Sequence, residues 1–147
     1  NIKFSSDFII GYPDETEKDF ENTTDLVKKL GFLNSYSFIF SPRPGTPAAQ
    51  KKVNSLPENK GRLKKLQDIL ESIQIKNNKI YLQKNCSVLV ENKFKDNQEY
   101  FGRTEFMTPV KFESDNCKIG DIINIQITSF NKKGLFGFHK LKKEKAA

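Results

Sequence analysis

Cysteine, histidine and tryptophan are almost missing from this chain: 147 residues include two Cys, one His, one Met and no Trp. Cys86 and Cys117 stand far apart and His139 lies elsewhere. That inventory is too small for a structural zinc site and lacks the grouped thiolates an iron–sulfur cluster requires, so no metal-ligating residue is assigned. The two thiols are expected to be reduced and idle, and His139 is expected at a strand end or on the surface. No apolar run approaches the roughly 20 residues that cross a bilayer, and with 29% charged residues the chain reads as soluble rather than membrane-bound. No charged-then-apolar leader stands at the start. Opening on Asn1-Ile-Lys-Phe4, close to a strand, it reads as a piece of a longer chain.

Phenylalanine and lysine are plentiful. Thirteen Phe can furnish cores, and the net charge of +7 is unevenly placed. Residues 1–56 hold seven basic and seven acidic side chains, 57–78 five and three, and 79–147 thirteen and eight. The excess therefore grows toward the C-terminus, where six lysines and one glutamate fall in the last seventeen residues. Such a tail is either a solvated surface or a phosphate-facing one, since clustered lysines bind polyanions by releasing counterions.

The first segment reads as strand, helix, strand. Phe8-Ile9-Ile10 is a continuous apolar run, as expected of a parallel strand covered on both faces. Thr16 can cap the next helix, with Asp19 completing a capping box and the acidic first turn suiting the helix dipole. Phe20, Val27 and Leu30 recur at helical spacing and Gly31 supplies a stop, predicting a helix from about Glu17 to Leu30. Tyr36 to Phe40 is the second strand. One such unit cannot stand alone, so further strands are expected upstream.

Ligands of parallel α/β folds sit at the C-terminal ends of strands. Two loops lie there, Gly11 to Thr16 and Ser41 to Ala49. Arg43, between two prolines, is preorganised for a carboxylate. The phrases Asp7-Phe-Ile-Ile-Gly-Tyr-Pro-Asp-Glu-Thr16 and Tyr36-Ser-Phe-Ile-Phe-Ser-Pro-Arg-Pro-Gly-Thr-Pro-Ala48 together resemble the last part of the radical S-adenosylmethionine (SAM) barrel of tRNA methylthiotransferases. They are closest in pattern to the MiaB type, which modifies isopentenyladenosine beside the anticodon. One departure is Asp14, where that family usually has Gly; Asp tolerates a left-handed turn better than most residues.

Pro57 suits a first helical turn, and Leu63, Leu66, Leu70 and Ile73 keep a helical stripe to about Asn77. From Lys79 the period becomes alternating. Ser87 to Glu91, Tyr100 to Arg103, Val110 to Glu113, Ile122 to Ile127 and Leu135 to His139 read as five short strands, which suggests a small closed antiparallel barrel. The order of Gly102-Arg103-Thr104, Val110-Lys-Phe112, Gly120-Asp-Ile122 and Leu135-Phe-Gly137 resembles a TRAM domain, an OB-like RNA-binding barrel. The expected fold class is thus α/β plus all-β. Residues 1–56 end a partial TIM-like SAM barrel, 57–78 form a linking helix, 79–143 the TRAM barrel and 144–147 a tail.

The resemblance implies a division of labour. A complete enzyme would use SAM and [4Fe–4S] clusters held by an N-terminal domain and a Cys-x-x-x-Cys-x-x-Cys loop absent here, with that missing N-terminal part as a partner of this one. This chain would supply no catalytic residue. Arg43, with Glu15 and Thr46, would line the SAM or substrate end of the barrel, although loop or helix capping is an equal role for Glu15 and Thr46. Arg103, Lys111, Lys132 and Lys133, with loop-borne Phe130 and Phe136 as stacking platforms, would grip the anticodon stem–loop of a tRNA, while the remaining aromatics pack the core. A cytoplasmic location is implied. Two alternatives stay open: a stand-alone RNA-binding module, and a methylthiotransferase acting on another tRNA base or on a ribosomal protein.

Overall fold

A computed structural model describes residues 2–94 and 98–139; the lysines at 140, 142, 143 and 145 and the tail 144–147 lie outside the described residues. The chain divides between Gln74 and Ile75 into two compact units. No described helix is long and apolar enough to cross a membrane.

The first unit contains β1 (Ser5–Ile10), α1 (Glu17–Leu30), β2 (Asn34–Ile39), a 3₁₀ turn (Pro47–Gln50) and most of α2 (Leu56–Lys79). Thr16 caps α1 with the reciprocal box expected of Thr and Asp three apart, and α1 stops at a left-handed Gly31. The carboxylate of Asp19 accepts bonds from the Thr16 hydroxyl and backbone, which hold its pKa below the ordinary value. β1 and β2 pair in parallel, Phe8 opposite Ser37 and Ile10 opposite Ile39. Ile10, Phe20, Val27, Phe32 and Leu66 form a buried core, flanked by Phe8, Leu63, Leu70 and Ile73. The stripe on α2 is therefore the face that packs, and each such fully buried side chain contributes roughly 1.5–3 kcal/mol.

Among the described residues, β1 is not covered on both faces. Side chains alternate along a strand, so Ile9 points opposite to Ile10; it is 55% exposed, as is Phe38 beside it, and Tyr36 is 69% exposed. The apolar run is real, but α1 and α2 reach only one side of the two strands.

The second unit is a closed barrel of β3 (Asn85–Lys93), β4 (Glu99–Thr104), β5 (Pro109–Glu113), β6 (Ile122–Asn131) and β7 (Gly134–His139), in the order β3-β4-β5-β7-β6. The expectation of a wholly antiparallel barrel is corrected here, because β5 and β7 pair in parallel while the other four pairings are antiparallel. The reason is parity: directions alternating around a closed ring need an even number of strands, so five strands must leave one parallel seam. Val88, Val90, Tyr100, Val110, Phe112, Ile125, Ile127 and Leu135 fill the interior. At Gly102 an added Cβ would lie 2.1 Å from the Leu89 carbonyl oxygen, so this close crossing of β3 and β4 admits only glycine.

Candidate nucleic-acid interface and strand-tip loops

Two matching turns sit at the C-terminal tips of β1 and β2. In Tyr12-Pro13-Asp14-Glu15 the Glu15 N–H donates to the Tyr12 carbonyl at 2.9 Å, and in Arg43-Pro44-Gly45-Thr46 the Thr46 N–H donates to the Arg43 carbonyl at 3.2 Å. Each has Pro second and a positive φ third, +70° at Asp14 and +82° at Gly45, the signature of a type II turn. Asp14 thus occupies a position that favours glycine, and its carboxylate is bound by Lys51 at 2.6 Å. Tyr12 packs edge-on against Phe40, 5.2 Å between ring centres.

Of the three residues expected to line this end, Glu15 is held from within. Its carboxylate accepts from the Gly11 N–H at 2.9 Å and from Arg62 at 3.0 Å. Arg62, itself 7% exposed, also binds Glu17 and Glu58 at 3.0 and 2.9 Å and donates to the Glu15 carbonyl. Asn54 donates to the same carbonyl at 3.0 Å. The Thr46 hydroxyl donates to the Arg43 carbonyl at 2.8 Å and so fastens its own turn. Arg43 is exposed, and its guanidinium has no hydrogen-bond or ion-pair partner among the described residues. Glu15 lines an open cleft of about 660 Å³ with Asp14, Glu17, Lys52, Glu58 and Arg62; Arg43 and Thr46 are not among the residues lining it.

On the barrel, the residues expected to meet RNA fall into two groups. Phe130, Lys132 and Lys133 line a hollow of about 520 Å³ with Ile75 and Asn131. Lys132 and Lys133 form the tip of the β6–β7 hairpin, which the Asn131 side chain organises by accepting from the Lys133 and Gly134 N–H groups at 2.7 and 3.2 Å. Buried Asn78 donates to the Asn131 carbonyl at 2.8 Å. Phe130 and Phe136 were expected on loops, but they lie within β6 and β7: β6 runs four residues beyond Ile127 toward the hairpin, and Phe136 falls inside the strand that the alternation from Leu135 to His139 had already marked.

The second group lies on the outside of β4, β5 and β7. Tyr100, Gly102, Val110, Phe112 and Leu135 face inward, which leaves Phe101, Arg103, Lys111 and Phe136 on the outer side. The register sets Phe101 opposite Lys111 and Lys111 opposite Phe136, so an aromatic, a cation and an aromatic form one row across three strands. Arg103 lies 5.2 Å over the Phe101 ring and Lys111 lies 5.3 Å over the Phe94 ring. Both cations are also paired, Arg103 with Glu91 and Lys111 with Glu99 at 2.9 Å. Phe94 and Phe101 belong to the aromatics of which most were expected in the core; for Phe101 the alternation of Tyr100, Phe101, Gly102 and Arg103 already carried the outward signal. Strands two and three of a five-stranded Greek-key barrel, and the loop between strands four and five, are the surfaces such barrels use for oligonucleotides; here those are β4, β5 and the Lys132–Lys133 turn.

Cys86 and Cys117 are free thiols resting partly buried against the barrel core. Burial pushes the Cys86 thiol up to about 11. His139 ends β7 with Nδ1 3.1 Å from the Ser114 hydroxyl. Among the described residues no three His, Cys, Asp or Glu side chains group as a metal site.

No protein-family model matches the chain. Among curated proteins it is 52% identical over 136 residues to the tRNA-2-methylthio-N(6)-dimethylallyladenosine synthase of Pelagibacter ubique, covering 92% of this chain and 30% of that protein. Proteins of the same name from Buchnera aphidicola subsp. Baizongia pistaciae and Vesicomyosocius okutanii are 45% and 41% identical, covering 95% and 93% of this chain and 32% and 31% of theirs. The chain spans about a third of the length of these relatives. It belongs to the tRNA-2-methylthio-N(6)-dimethylallyladenosine synthase family.

Proposed function

We propose that the chain is the C-terminal part of a radical SAM methylthiotransferase that adds a methylthio group to isopentenyladenosine in tRNA. In this reading the first unit closes one side of the SAM barrel, and the second, a TRAM-type barrel, grips the anticodon stem–loop in the cytoplasm. The observation that carries the reading is the 52% identity to a protein of that name over nearly the whole chain. The uncovered face of β1 and β2, with Ile9, Tyr36 and Phe38 exposed, supports a further layer packed against it, and a parallel sheet of only two strands supports further strands beside it. Boundaries near residues 56 and 79 for barrel, linker and RNA module belong to the same proposal.

The relatives' chemistry calls for SAM and iron–sulfur clusters. The residues present do not fit a cluster: the two thiols lie against the core of one barrel, and Cys86 is kept protonated where a ligand must be a thiolate. Cluster chemistry falls to the remainder of the relatives' length, and no step of it is assigned to this chain. Arg43 fits a simpler task. A guanidinium without a partner among the described residues, on a turn fixed by Pro44, Gly45 and Thr46, can bind the carboxylate of SAM by a forked pair of hydrogen bonds. Glu15 serves as the internal brace of the neighbouring turn and Thr46 as the clasp of the Arg43 turn.

The test is the nucleoside content of tRNA from cells lacking the full-length gene, complemented with parent or Arg43→Ala protein. Methylthio-isopentenyladenosine is expected to return with the parent and to fall at least tenfold with the variant, while isopentenyladenosine accumulates. Unchanged methylthio content in the deletion strain would remove the proposal. The 147-residue chain by itself is expected to cleave no SAM.

A further inference from the structure

We propose that Asn59, in the first turn of α2, is a positioning residue for the strand-tip loops: it sets the turn after β1 and, through that turn, the direction of Arg43. The inference rests on the reading of Arg43 as the partner of the SAM carboxylate and deepens it by naming what aims that arginine.

Asn59 is a buried polar residue with few partners. It is 3% exposed, its Nδ2 donates to the Asn54 carbonyl at 3.3 Å, and its Oδ1 accepts from no donor among the described residues. An amide buried in that state costs stability that an apolar side chain of similar outline would not. Its use is geometric. A Cβ added to Gly11 would lie 2.3, 2.4 and 2.5 Å from Nδ2, Cγ and Oδ1 of Asn59, so the flat face of the amide rests on the glycine. Gly11 stands at φ +73°, where the chain leaves β1.

Hydrogen bonds carry this contact round the turn and back. The Asn59 side chain donates to the Asn54 carbonyl, the Asn54 side chain donates to the Glu15 carbonyl at 3.0 Å, and the Glu15 carboxylate accepts from the Gly11 N–H at 2.9 Å. The ring closes where Gly11 meets Asn59. Two contacts lead from the turn it holds toward Arg43: Tyr12 packs on Phe40 at the end of β2, and Asp14 is bound by Lys51, just past the 3₁₀ turn that follows Thr46. Arg43 has no partner of its own among the described residues, so its direction is inherited from these neighbours. A forked pair of hydrogen bonds to a carboxylate tolerates little misdirection. A residue that merely packs would change stability and leave SAM binding alone.

The experiment uses the full-length enzyme and reads SAM binding by calorimetry without reductant, KM for SAM and kcat, and amide exchange by mass spectrometry. Asn59→Leu keeps the branched outline, and Asn54→Ala opens the ring at a partly exposed residue. Each is expected to weaken SAM binding and raise KM at least about fivefold, with kcat at saturating SAM within about twofold. Amides of residues 11–16 should exchange at least about tenfold faster while those of Phe20 and Val27 keep the parent rate. In an Arg43→Ala background the same substitutions should change SAM affinity less than about twofold, because the group they aim is gone. If Asn59→Leu alters exchange at Val27, Asn54→Ala decides alone. Variants that bind SAM as the parent does, or that weaken it equally in both backgrounds, overturn the inference and leave the Arg43 reading standing where Arg43→Ala itself weakens binding. If Arg43→Ala leaves SAM affinity unchanged, that reading falls and the inference with it.

Discussion

Replacing Arg62 with glutamine takes one cation from among three carboxylates. Glu17 and Glu58 reach solvent, and such pairs are worth about 0–1 kcal/mol each. Glu15 is different: its side chain is 11% exposed, and without Arg62 only the Gly11 N–H still answers its charge. Stranding a buried carboxylate costs about 3–5 kcal/mol. Partial access to water at Glu15 places the expected loss near the lower bound, about 3 kcal/mol. Arg62 also stacks 5.7 Å over Phe20 in the core, so the loss should be felt by α1. Amide hydrogen exchange at Phe20 and Val27 reads it directly, and about 3 kcal/mol corresponds to roughly a 100-fold faster exchange for amides that open with the unit. Adding Glu15→Gln removes the stranded charge, so the double variant should recover at least about 1 kcal/mol relative to Arg62→Gln alone. A single variant costing under about 1 kcal/mol, or a double variant less stable than the single, refutes the reasoning.

Other consequences can be checked separately. Gly102→Ala drives a methyl group into the Leu89 carbonyl; by breaking the β3–β4 ladder it should cost about 3 kcal/mol or more, seen as loss of the barrel's dispersed amide spectrum, and a native spectrum contradicts it. Thr16→Ala removes the cap of α1 and should cost about 1 kcal/mol in urea denaturation, whereas an unchanged midpoint removes the cap from the account. Cys86, raised from 9.0 to about 11 by burial, should be alkylated by iodoacetamide at pH 8 about 100-fold more slowly than an ordinary thiol. Because its folded pKa is the higher one, its contribution to stability is complete below pH 9 and is lost as pH rises from 9 through 11. A reaction midpoint near pH 9 would place the thiol in water.

Local chemistry made much of the architecture legible. The Thr16–Asp19 box, the Gly31 stop and the helical stripe of Leu63, Leu66, Leu70 and Ile73 are short-range patterns, and they gave α1 and α2 to within two residues of their ends. Strand alternation located all five barrel strands but not their directions, since a parallel seam between β5 and β7 follows from closing an odd ring. The brace of Glu15 by Arg62 joins residues 47 positions apart, and no periodicity reports such a pair. The outer row of β4, β5 and β7 was half visible: Arg103, Lys111 and Phe136 stood out by type, but only the register unites them with Phe101. Phe8, Ile9 and Ile10 are equally apolar, and which of them lacks cover depends on elements outside their own strand.

The central claim is that this barrel holds RNA through Arg103, Lys111, Lys132 and Lys133. It is tested most directly by the affinity of the chain for a tRNA anticodon stem–loop as a function of salt. Four phosphate contacts at about 0.7 per contact give a log–log slope near −2.8, or roughly 50-fold weaker binding between 50 and 200 mM salt. Lys132→Gln/Lys133→Gln should halve that slope. An affinity indifferent to salt, or a slope the double variant leaves unchanged, contradicts it.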